Sequence, residues 1–216
     1  MESLIDQVLA SPKAPSIIDE LQVRMAEEKA KREAFYAWLD EDKKAEFVNG
    51  EVVVHSPVRK WHTLVTKRLL ILLDLYVTIN NLGFVGVEKT LIKLRRNDFE
   101  PDLCFFPKEI ADQFKEDQMY FPAPSLVVEV LSSNEDHDRV VKYQDYEANG
   151  VKEYWIINPK EQFVEQYKLN EEGKYELLLK SSSGDIESYE VKGFRIPIKA
   201  MFDEAENLRV SKELLG

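Results

Sequence analysis

The chain has 216 residues, of which 44% are hydrophobic and 32% are charged, so it can bury the core of one ordinary domain. This composition excludes a globally disordered or collagen-like chain, and a single cysteine, Cys104, excludes an internal disulfide and a multi-cysteine zinc site. The net charge of −11 at pH 7 disfavours general coating of nucleic acid, so any nucleic-acid contact needs a local basic patch or a metal ion.

Targeting signals are not evident in the sequence. The first residues lack the basic and apolar regions of a secretory signal. The most apolar run, Leu69–Leu73, is far shorter than the ~20 residues of a membrane-spanning helix. We therefore expect a cytoplasmic protein with no membrane partner.

Residues 1–40 are predicted to form an N-terminal helical extension. Residues 27–33 contain a mixture of glutamate and lysine at helical spacing, which is typical of a solvated helix face. A single apolar stripe carries the larger hydrophobic side chains: Ile17, Ile18, Leu21 and Met25. Because such a helix is not stable alone, we expect the extension to pack on the rest of the chain or on a second subunit.

Residues 41–205 change to a pattern of mixed strands and helices. Asn49 and Gly50 separate two short runs, 45–48 and 51–54, and this dipeptide predicts a hairpin because both positions tolerate positive φ. A largely apolar helix is expected over 62–79. Single strands are then expected over 85–94 and 101–106, the second with a proline at its entry.

The second half of this region predicts a buried sheet. Residues 126–131 are too apolar for a half-exposed strand, so we expect a central strand covered on both faces. A helix is expected over 138–148, where Asn149 and Gly150 provide a C-terminal stop. Further strands are predicted by the hydrophobic pattern: 154–157, 163–169, 174–180 and 194–198. The resulting fold class is α/β (α+β).

Two carboxylates occur within the apolar strands. Asp102 follows Pro101 at a strand entry, and Glu129 interrupts the apolar run 126–131. A carboxylate in such a run costs several kcal/mol unless it is paired, protonated or metal-bound. If the strands are neighbours, both side chains can bind one hard cation such as Mg²⁺. In the structural alternative, Glu129 pairs with a basic residue and Asp102 caps a turn.

The helix after Glu129 carries a third charged group. One of its faces holds four residues with the spacing i, i+3, i+4 and i+7: Arg139, Lys142, Tyr143 and Tyr146. This face can cover the sheet end that carries Glu129, which would place Lys142 near both carboxylates. The alternative for Lys142 is a surface salt bridge with Asp138, four residues earlier.

Glu46 and the histidines give weaker signals. Glu46 lies in the first hairpin strand, as a third candidate acid or as part of the hairpin's polar face. His55, His62 and His137 do not show the spacing of three or four convergent ligands, so we do not expect a zinc site. The sequence has neither a phosphate-binding glycine loop nor a Gly-x-Ser-x-Gly elbow.

Several segments, in order, resemble the Uma family, a domain family of unknown function grouped with restriction endonucleases in the PD-(D/E)xK nuclease superfamily. The similar segments run from about residue 36 to residue 170: Glu46–Val52, Pro101-Asp102, Val128–Ser132, Asp138-Arg139-x-x-Lys142 and Tyr146–Pro159. The resemblance implies that 41–205 is a restriction endonuclease-like domain with a mixed central β-sheet flanked by helices.

The resemblance also implies a site and an activity. The catalytic residues would be Glu46, Asp102, Glu129 and Lys142, with magnesium held by Asp102, Glu129 and the carbonyl of Val130. Leu131 stands where the superfamily usually has its lysine, and the family instead carries this lysine on the following helix, here Lys142. The implied function is a metal-dependent DNA endonuclease that hydrolyses phosphodiester bonds.

The surroundings of this site are predicted less sharply. His62, Arg139 and Tyr146 are candidates to face the substrate. Six basic residues could form a DNA-facing surface or be ordinary solvated charges: Arg59, Lys60, Lys67, Lys93, Arg95 and Arg96. We expect a homodimer. The alternative function is a non-catalytic dimeric interaction protein that retains the nuclease fold. The acidic net charge weakens electrostatic capture of DNA and is compatible with a weak or selective nuclease as well as with a core that has lost efficient cleavage.

Overall fold

The computed structural model of the chain describes residues 3–132 and 134–216. Met1 and Glu2, within the predicted extension, lie outside the described residues. The N-terminal segment is helical, with α1 over Leu4–Leu9 and α2 over Ala14–Trp38. The C-terminal part of α2 packs on the strands that follow it, so the division of the chain at residue 40 stays a prediction.

The predicted hairpin is confirmed. β1 (Ala45–Val48) and β2 (Glu51–Val54) pair antiparallel, and both turn residues, Asn49 (φ 52°) and Gly50 (φ 84°), adopt positive φ. The hairpin forms one edge of a smaller sheet with the order β2-β1-β5-β4-β7. The other strands of this sheet are β4 (Leu91–Lys93), β5 (Asp98–Phe99) and β7 (Tyr120–Phe121).

A larger, mixed sheet forms the centre of the molecule, with the strand order β11-β10-β9-β8-β6-β3. Its strands have these bounds: β3 Gly83–Val87, β6 Leu103–Pro107, β8 Leu126–Val130, β9 Glu153–Asn158, β10 Phe163–Leu169 and β11 Tyr175–Ser181. β8 is buried along its whole length and runs antiparallel to β6 and parallel to β9. The predicted central strand and the mixed α/β class are therefore confirmed.

Helices cover both faces of the larger sheet. α3 (Lys60–Ile79) and the C-terminal α6 (Glu204–Leu215) share one core with Val128 and Val130 of β8. Residues 137–148 cover the opposite face, where Val127 packs. Because side chains alternate along a strand, Glu129 belongs to this second face.

Small elements complete the chain. They are α4 (Lys108–Ala111), the paired strands β12 (Asp185–Glu187) and β13 (Arg195–Pro197), and a 3₁₀-helix over Ile198–Met201. Among the described residues, no helix combines the length and apolar character needed to cross a membrane.

Two sequence-based expectations were wrong in detail. The single strand expected over 85–94 is two strands in different sheets, because the chain turns at Glu88, which adopts φ 46°. The helix expected over 138–148 begins with π-helical turns over His137–Lys142 and becomes α-helical only as α5 over Tyr143–Ala148. A π-turn contains more residues than an α-turn, so the side chains do not keep the facing that α-helical spacing predicts.

Candidate active site

A cleft of about 690 Å³ lies between the β1–β2 hairpin, the first turn of α3 and the π-helical turns. Asp102, Glu129 and Lys142 all line it. These residues come from the entry of β6, the end of β8 and the last π-helical turn. The structure thus brings together three of the four residues predicted to be catalytic, and the fourth, Glu46, contacts Lys142 from β1.

Asp102 is fixed by the end of the neighbouring strand. Its Oδ2 accepts a hydrogen bond of 2.7 Å from the backbone N–H of Val130 and lies 3.1 Å from Nε2 of His62. Leu103 pairs with Val128, so Asp102, one residue earlier, stands across from Glu129 at the same end of the sheet. Only the N–H of Val130 has an observed role here, and the predicted use of its carbonyl as a metal ligand stays a prediction.

Lys142 is buried among carboxylates. Its Nζ lies 2.9 Å from Oε1 of Glu129, 3.0 Å from Oε1 of Glu46 and 3.7 Å from Oδ1 of Asp138. Burial alone would lower the pKa of Lys142, but these carboxylates outweigh it and hold the pKa well above its usual value. The pair with Asp138 is thus part of a buried cluster, and the surface salt bridge considered from the sequence is not what forms.

Glu129 is both well bonded and electrostatically crowded. Its Oε1 accepts hydrogen bonds of 2.9 Å from Lys142 and from the hydroxyl of Tyr146. Burial raises the pKa of Glu129 to about 7; Lys142 opposes this rise, while Asp102 and Glu46 add to it through like-charge repulsion. Tyr146 is completely buried, so it orients Glu129 and does not face a substrate in the cleft.

Glu46 differs from Glu129 because it has more cationic and donor neighbours. Its Oε1 also accepts the N–H of Glu100 at 3.0 Å, and its Oε2 lies 2.9 Å from Nε2 of His137 and 3.5 Å from Nε2 of His55. Burial acts to raise the pKa of Glu46, but Lys142 and the two histidines hold it well below its usual value. Glu46 therefore stays ionised more readily than Glu129.

The sequence did not predict that His55 and His137 lie beside Glu46, or that Asp138 is buried. The signal for His55 was available, because hairpin register places it across from Lys44, on the Glu46 side of the strand. No local signal identifies His137, because its approach to Glu46 depends on the π-helical turns. Burial also raises the pKa of Asp138 to about 7.

The chemistry of the cluster fits a hard divalent cation. Within residues 3–132 and 134–216, no group of three or more His, Cys, Asp or Glu side chains is arranged to hold a metal ion. Two carboxylates, Asp102 and Glu129, nevertheless meet at a cleft that water can enter, and Mg²⁺ commonly uses one or two carboxylates while it keeps several waters. The donor set fits magnesium and does not fit a zinc site with three or four protein ligands.

Other predicted site residues lie elsewhere. Arg139 does not reach the cleft: its guanidinium pairs with Glu165 at 2.6 Å and with Glu135 at 3.3 Å. Tyr143 instead packs among Tyr154, Tyr167 and Tyr175. The prediction that both share the face of Lys142 over Glu129 was wrong, since the π-helical turns rotate them away from Lys142.

The six basic residues do not form one surface. Arg59 lines the cleft, whereas Lys93, Arg95 and Arg96 line a separate groove beside α2. Arg96 is also paired with Glu28, with Nε and Oε1 2.8 Å apart. His62 does line the cleft, as expected of a residue near a substrate.

Comparisons with known proteins bear on the family and the fold of this chain. The model of the Uma2 family, described as "Putative restriction endonuclease", matches residues 32–198. A crystal structure of a putative nuclease of the DUF820 family from Anabaena variabilis ATCC 29413 superposes with a TM-score of 0.65 at 16% sequence identity, over 78% of this chain and 94% of that one. At this identity the likeness shows the fold alone. A search of curated proteins gives no match.

Proposed function

Because the chain belongs to the Uma2 family of putative restriction endonucleases, we propose that it is a magnesium-dependent DNA endonuclease that hydrolyses phosphodiester bonds. The observation that carries this proposal is Lys142, buried between Glu129 and Glu46 in the cleft that Asp102 also lines. A lysine held next to two acids at the end of a sheet is the arrangement that phosphodiester hydrolysis needs: a cation site and a positive group beside it.

Asp102 and Glu129 would hold the cation, with the carbonyl of Val130 as a further ligand. A divalent cation supplies charge neutralisation at the scissile phosphate and a lowered pKa for the attacking water. The protein's own contribution is to hold these two carboxylates in place. The Val130 N–H fixes Asp102, and the Tyr146 hydroxyl fixes Glu129.

Lys142 supplies positive charge at the reacting phosphate. Its raised pKa favours a charged ammonium, which donates hydrogen bonds and stabilises the negative charge that develops during hydrolysis. A role as general base is less suited to a lysine surrounded by three carboxylates. Glu46 keeps the ammonium in place from the hairpin side, and His137 and His55 in turn hold Glu46.

The proposal is tested by incubating the full chain with supercoiled plasmid in Mg²⁺, Mn²⁺ or EDTA. We expect nicking in the presence of either cation and none in EDTA. Asp102→Asn should abolish nicking, whereas Asp74→Asn, on the exposed side of α3, should not. Absence of cleavage of any DNA by the wild-type chain in both cations would contradict the proposal.

A second candidate function, a dimeric interaction protein without catalysis, is favoured by one observation. On α1 and the first half of α2, large apolar side chains remain exposed: Leu4, Ile5, Leu9, Ile18, Leu21 and Met25. Further along α2, Arg32 bonds Asp98 at 2.7 Å and Phe35 is buried, so one part of α2 packs on its own chain while the apolar stripe does not.

Dimer formation through these exposed side chains can be tested independently of the nuclease proposal. We propose a homodimer in which these residues pack against a second copy. Leu21→Glu combined with Met25→Glu should then convert a dimer to a monomer in sedimentation velocity without changing the far-UV spectrum. A wild-type chain that sediments as a monomer at all concentrations would contradict dimer formation and leave the nuclease proposal unaffected.

A further inference from the structure

One wall of the cleft is apolar and carries an aromatic ring. Val53 of β2 is 38% exposed and pairs with Glu46 across the hairpin, so it lies on the face of the sheet that points to the site. Val58, 45% exposed, follows in the linker to α3. The half-buried indole of Trp61, in the first turn of α3, completes this wall with Pro57.

The charged lining of the cleft is acidic. Five carboxylates line it among the described residues: Glu51, Glu100, Asp102, Glu129 and Asp138. The fixed positive groups that line it are Lys44, Arg59 and Lys142, and Lys142 is occupied by buried acids. Among the described residues, this leaves two basic side chains to contact phosphates: Arg59, and Lys44, whose Nζ lies 3.7 Å from Oε2 of the exposed Glu88.

Duplex and single-stranded DNA make different demands on such a cleft. Intact duplex presents stacked bases and two phosphate backbones, and proteins bind it mainly through many lysine and arginine contacts to phosphate. Unpaired DNA also presents the faces of its bases, which bind to aromatic and apolar side chains and need fewer phosphate contacts. The cleft has the aromatic and apolar side chains that bind unpaired bases, and it lacks the many lysine and arginine contacts that bind duplex DNA.

We propose that the cleft accepts a nucleotide of unpaired DNA, with its base against Trp61 and the wall of Val53, Pro57 and Val58. The protein then acts on single strands and on unpaired regions within a duplex in preference to intact duplex. This inference rests on the proposed nuclease function and names the substrate class for the same site. The net charge of −11 adds to it, because long-range repulsion penalises duplex DNA, with its higher charge density, more than a single strand.

The test compares three DNA substrates of one sequence: a single strand, the perfect duplex, and the duplex with an unpaired internal bubble. The full wild-type chain is assayed with Mg²⁺ and with Mn²⁺. We expect cleavage of the single strand and cleavage within the bubble, with the perfect duplex cut at least roughly tenfold more slowly. Equal or faster cleavage of the perfect duplex would overturn the inference and leave the nuclease function standing.

Variants of Trp61 test the wall itself. Trp61→Ala should lower cleavage of the single strand by roughly ten- to a hundredfold, the range of one lost base–aromatic stack, whereas Trp61→Phe should retain most of it. Trp38→Ala is the control for loss of a tryptophan, since Trp38 is exposed, contacts Lys43 and does not line the cleft. Wild-type cleavage rates in Trp61→Ala would overturn the inference.

Binding supplies a readout that does not depend on turnover. In Ca²⁺, the wild-type chain should bind a labelled single strand more tightly than the duplex, and Trp61→Ala should remove this preference. Contacts from Lys44 and Arg59 to two phosphates predict a slope of about −1.4 for log affinity against log salt. If no DNA is cut in any cation, the nuclease proposal fails. Equal or undetectable binding of the single strand and the duplex would then overturn the substrate inference as well.

Discussion

Glu129 and Glu153 are both buried glutamates on adjacent strands of the larger sheet, but their surroundings differ in kind. Among the described residues, Glu153 accepts hydrogen bonds from five neutral donors and has no basic partner at hydrogen-bond distance. These donors are Trp155 Nε1 and Gln166 Nε2 at 2.6 and 2.7 Å, Ser188 Oγ at 2.7 Å, and the N–H groups of Tyr189 and Glu190 at 3.0 Å. Glu129 has two donors and two carboxylate neighbours, Asp102 and Glu46.

The difference distinguishes a structural glutamate, Glu153, from a candidate site glutamate, Glu129. Donors from three segments of the chain surround Glu153, so its negative charge holds β9, β10 and the segment before β13 together. Glu129 lies beside like charges at a cleft, and a proton or a cation there would relieve the repulsion. Burial of an acid is common to both residues, so burial alone would not have identified the candidate site.

The largest expected effect is on activity and comes from Lys142→Met. Loss of the ammonium should lower the cleavage rate by roughly 10²–10⁴-fold, the usual contribution of a group that donates to or stabilises the reacting atoms. Because three carboxylates then lose their cationic partner, the metal-free variant should also be less stable by about 3–5 kcal/mol at neutral pH. Single-turnover cleavage and urea unfolding measure the two effects.

Lys212→Met, on the exposed face of α6, is the control for loss of a lysine. It should change neither the cleavage rate nor the stability in urea unfolding. Cleavage by Lys142→Met at the wild-type rate would remove Lys142 from the mechanism, whatever happens to stability.

The next effect is on stability and comes from Glu153→Ala. Three buried side-chain donors and two partly buried backbone N–H groups would lose their acceptor. One unsatisfied buried donor typically costs about 1–3 kcal/mol, so we expect destabilisation of at least about 3 kcal/mol in urea unfolding. Cleavage per folded molecule should remain at the wild-type level, because Glu153 does not line the cleft. If the variant were as stable as the wild type, the donors would be hydrogen-bonded to water in it. Glu153 would then not be a structural acid, and its contrast with Glu129 would not hold.

Asp102→Asn should not lower the stability of the protein, in contrast to Glu153→Ala. An asparagine oxygen can still accept the Val130 N–H, and removal of one negative charge reduces repulsion near Glu129. The metal-free variant should therefore keep its stability or gain up to about 1 kcal/mol, while thermal stabilisation by Mg²⁺ disappears. A destabilisation comparable to that of Glu153→Ala would identify Asp102 as a structural residue.

The parts of the candidate site that rest on local sequence patterns could be predicted from the sequence. Carboxylates inside apolar strands identified Asp102 and Glu129, and the Asn49-Gly50 turn placed Glu46 correctly in a hairpin. The family resemblance named Lys142, which spacing alone left open to a surface pair.

What could not be predicted depends on tertiary geometry. The π-helical turns over His137–Lys142 separate Arg139 from Lys142 and bring His137 to Glu46, and an amphipathic pattern read with α-helical spacing cannot show this. The split of 85–94 into two sheets likewise follows from one positive-φ residue, Glu88. Glu153 gave no signal in the sequence because four of its five donors come from other segments, namely β10 and residues 188–190.

The smallest effect concerns the pH dependence of cation binding. The pKa of Glu129 rises from its usual 4.5 to about 7, so between these values the folded protein binds more protons than the unfolded chain, and the metal-free protein loses stability as the pH rises. Glu46, whose pKa is lowered, acts in the opposite sense: its stabilisation is present above its usual pKa and is lost as the pH falls through its folded value.

A cation at Asp102 and Glu129 competes with the proton on Glu129, so its benefit must grow as that proton leaves. The increase in Tm on addition of saturating Mg²⁺ should therefore be larger at pH 8 than at pH 6. Glu129→Gln supplies the control, because it has no proton to lose and should show little Mg²⁺ stabilisation at either pH. An equal increase in Tm at both pH values for the wild-type chain would mean that the cation binds away from Glu129, and Glu129 would then join Glu153 as a structural acid.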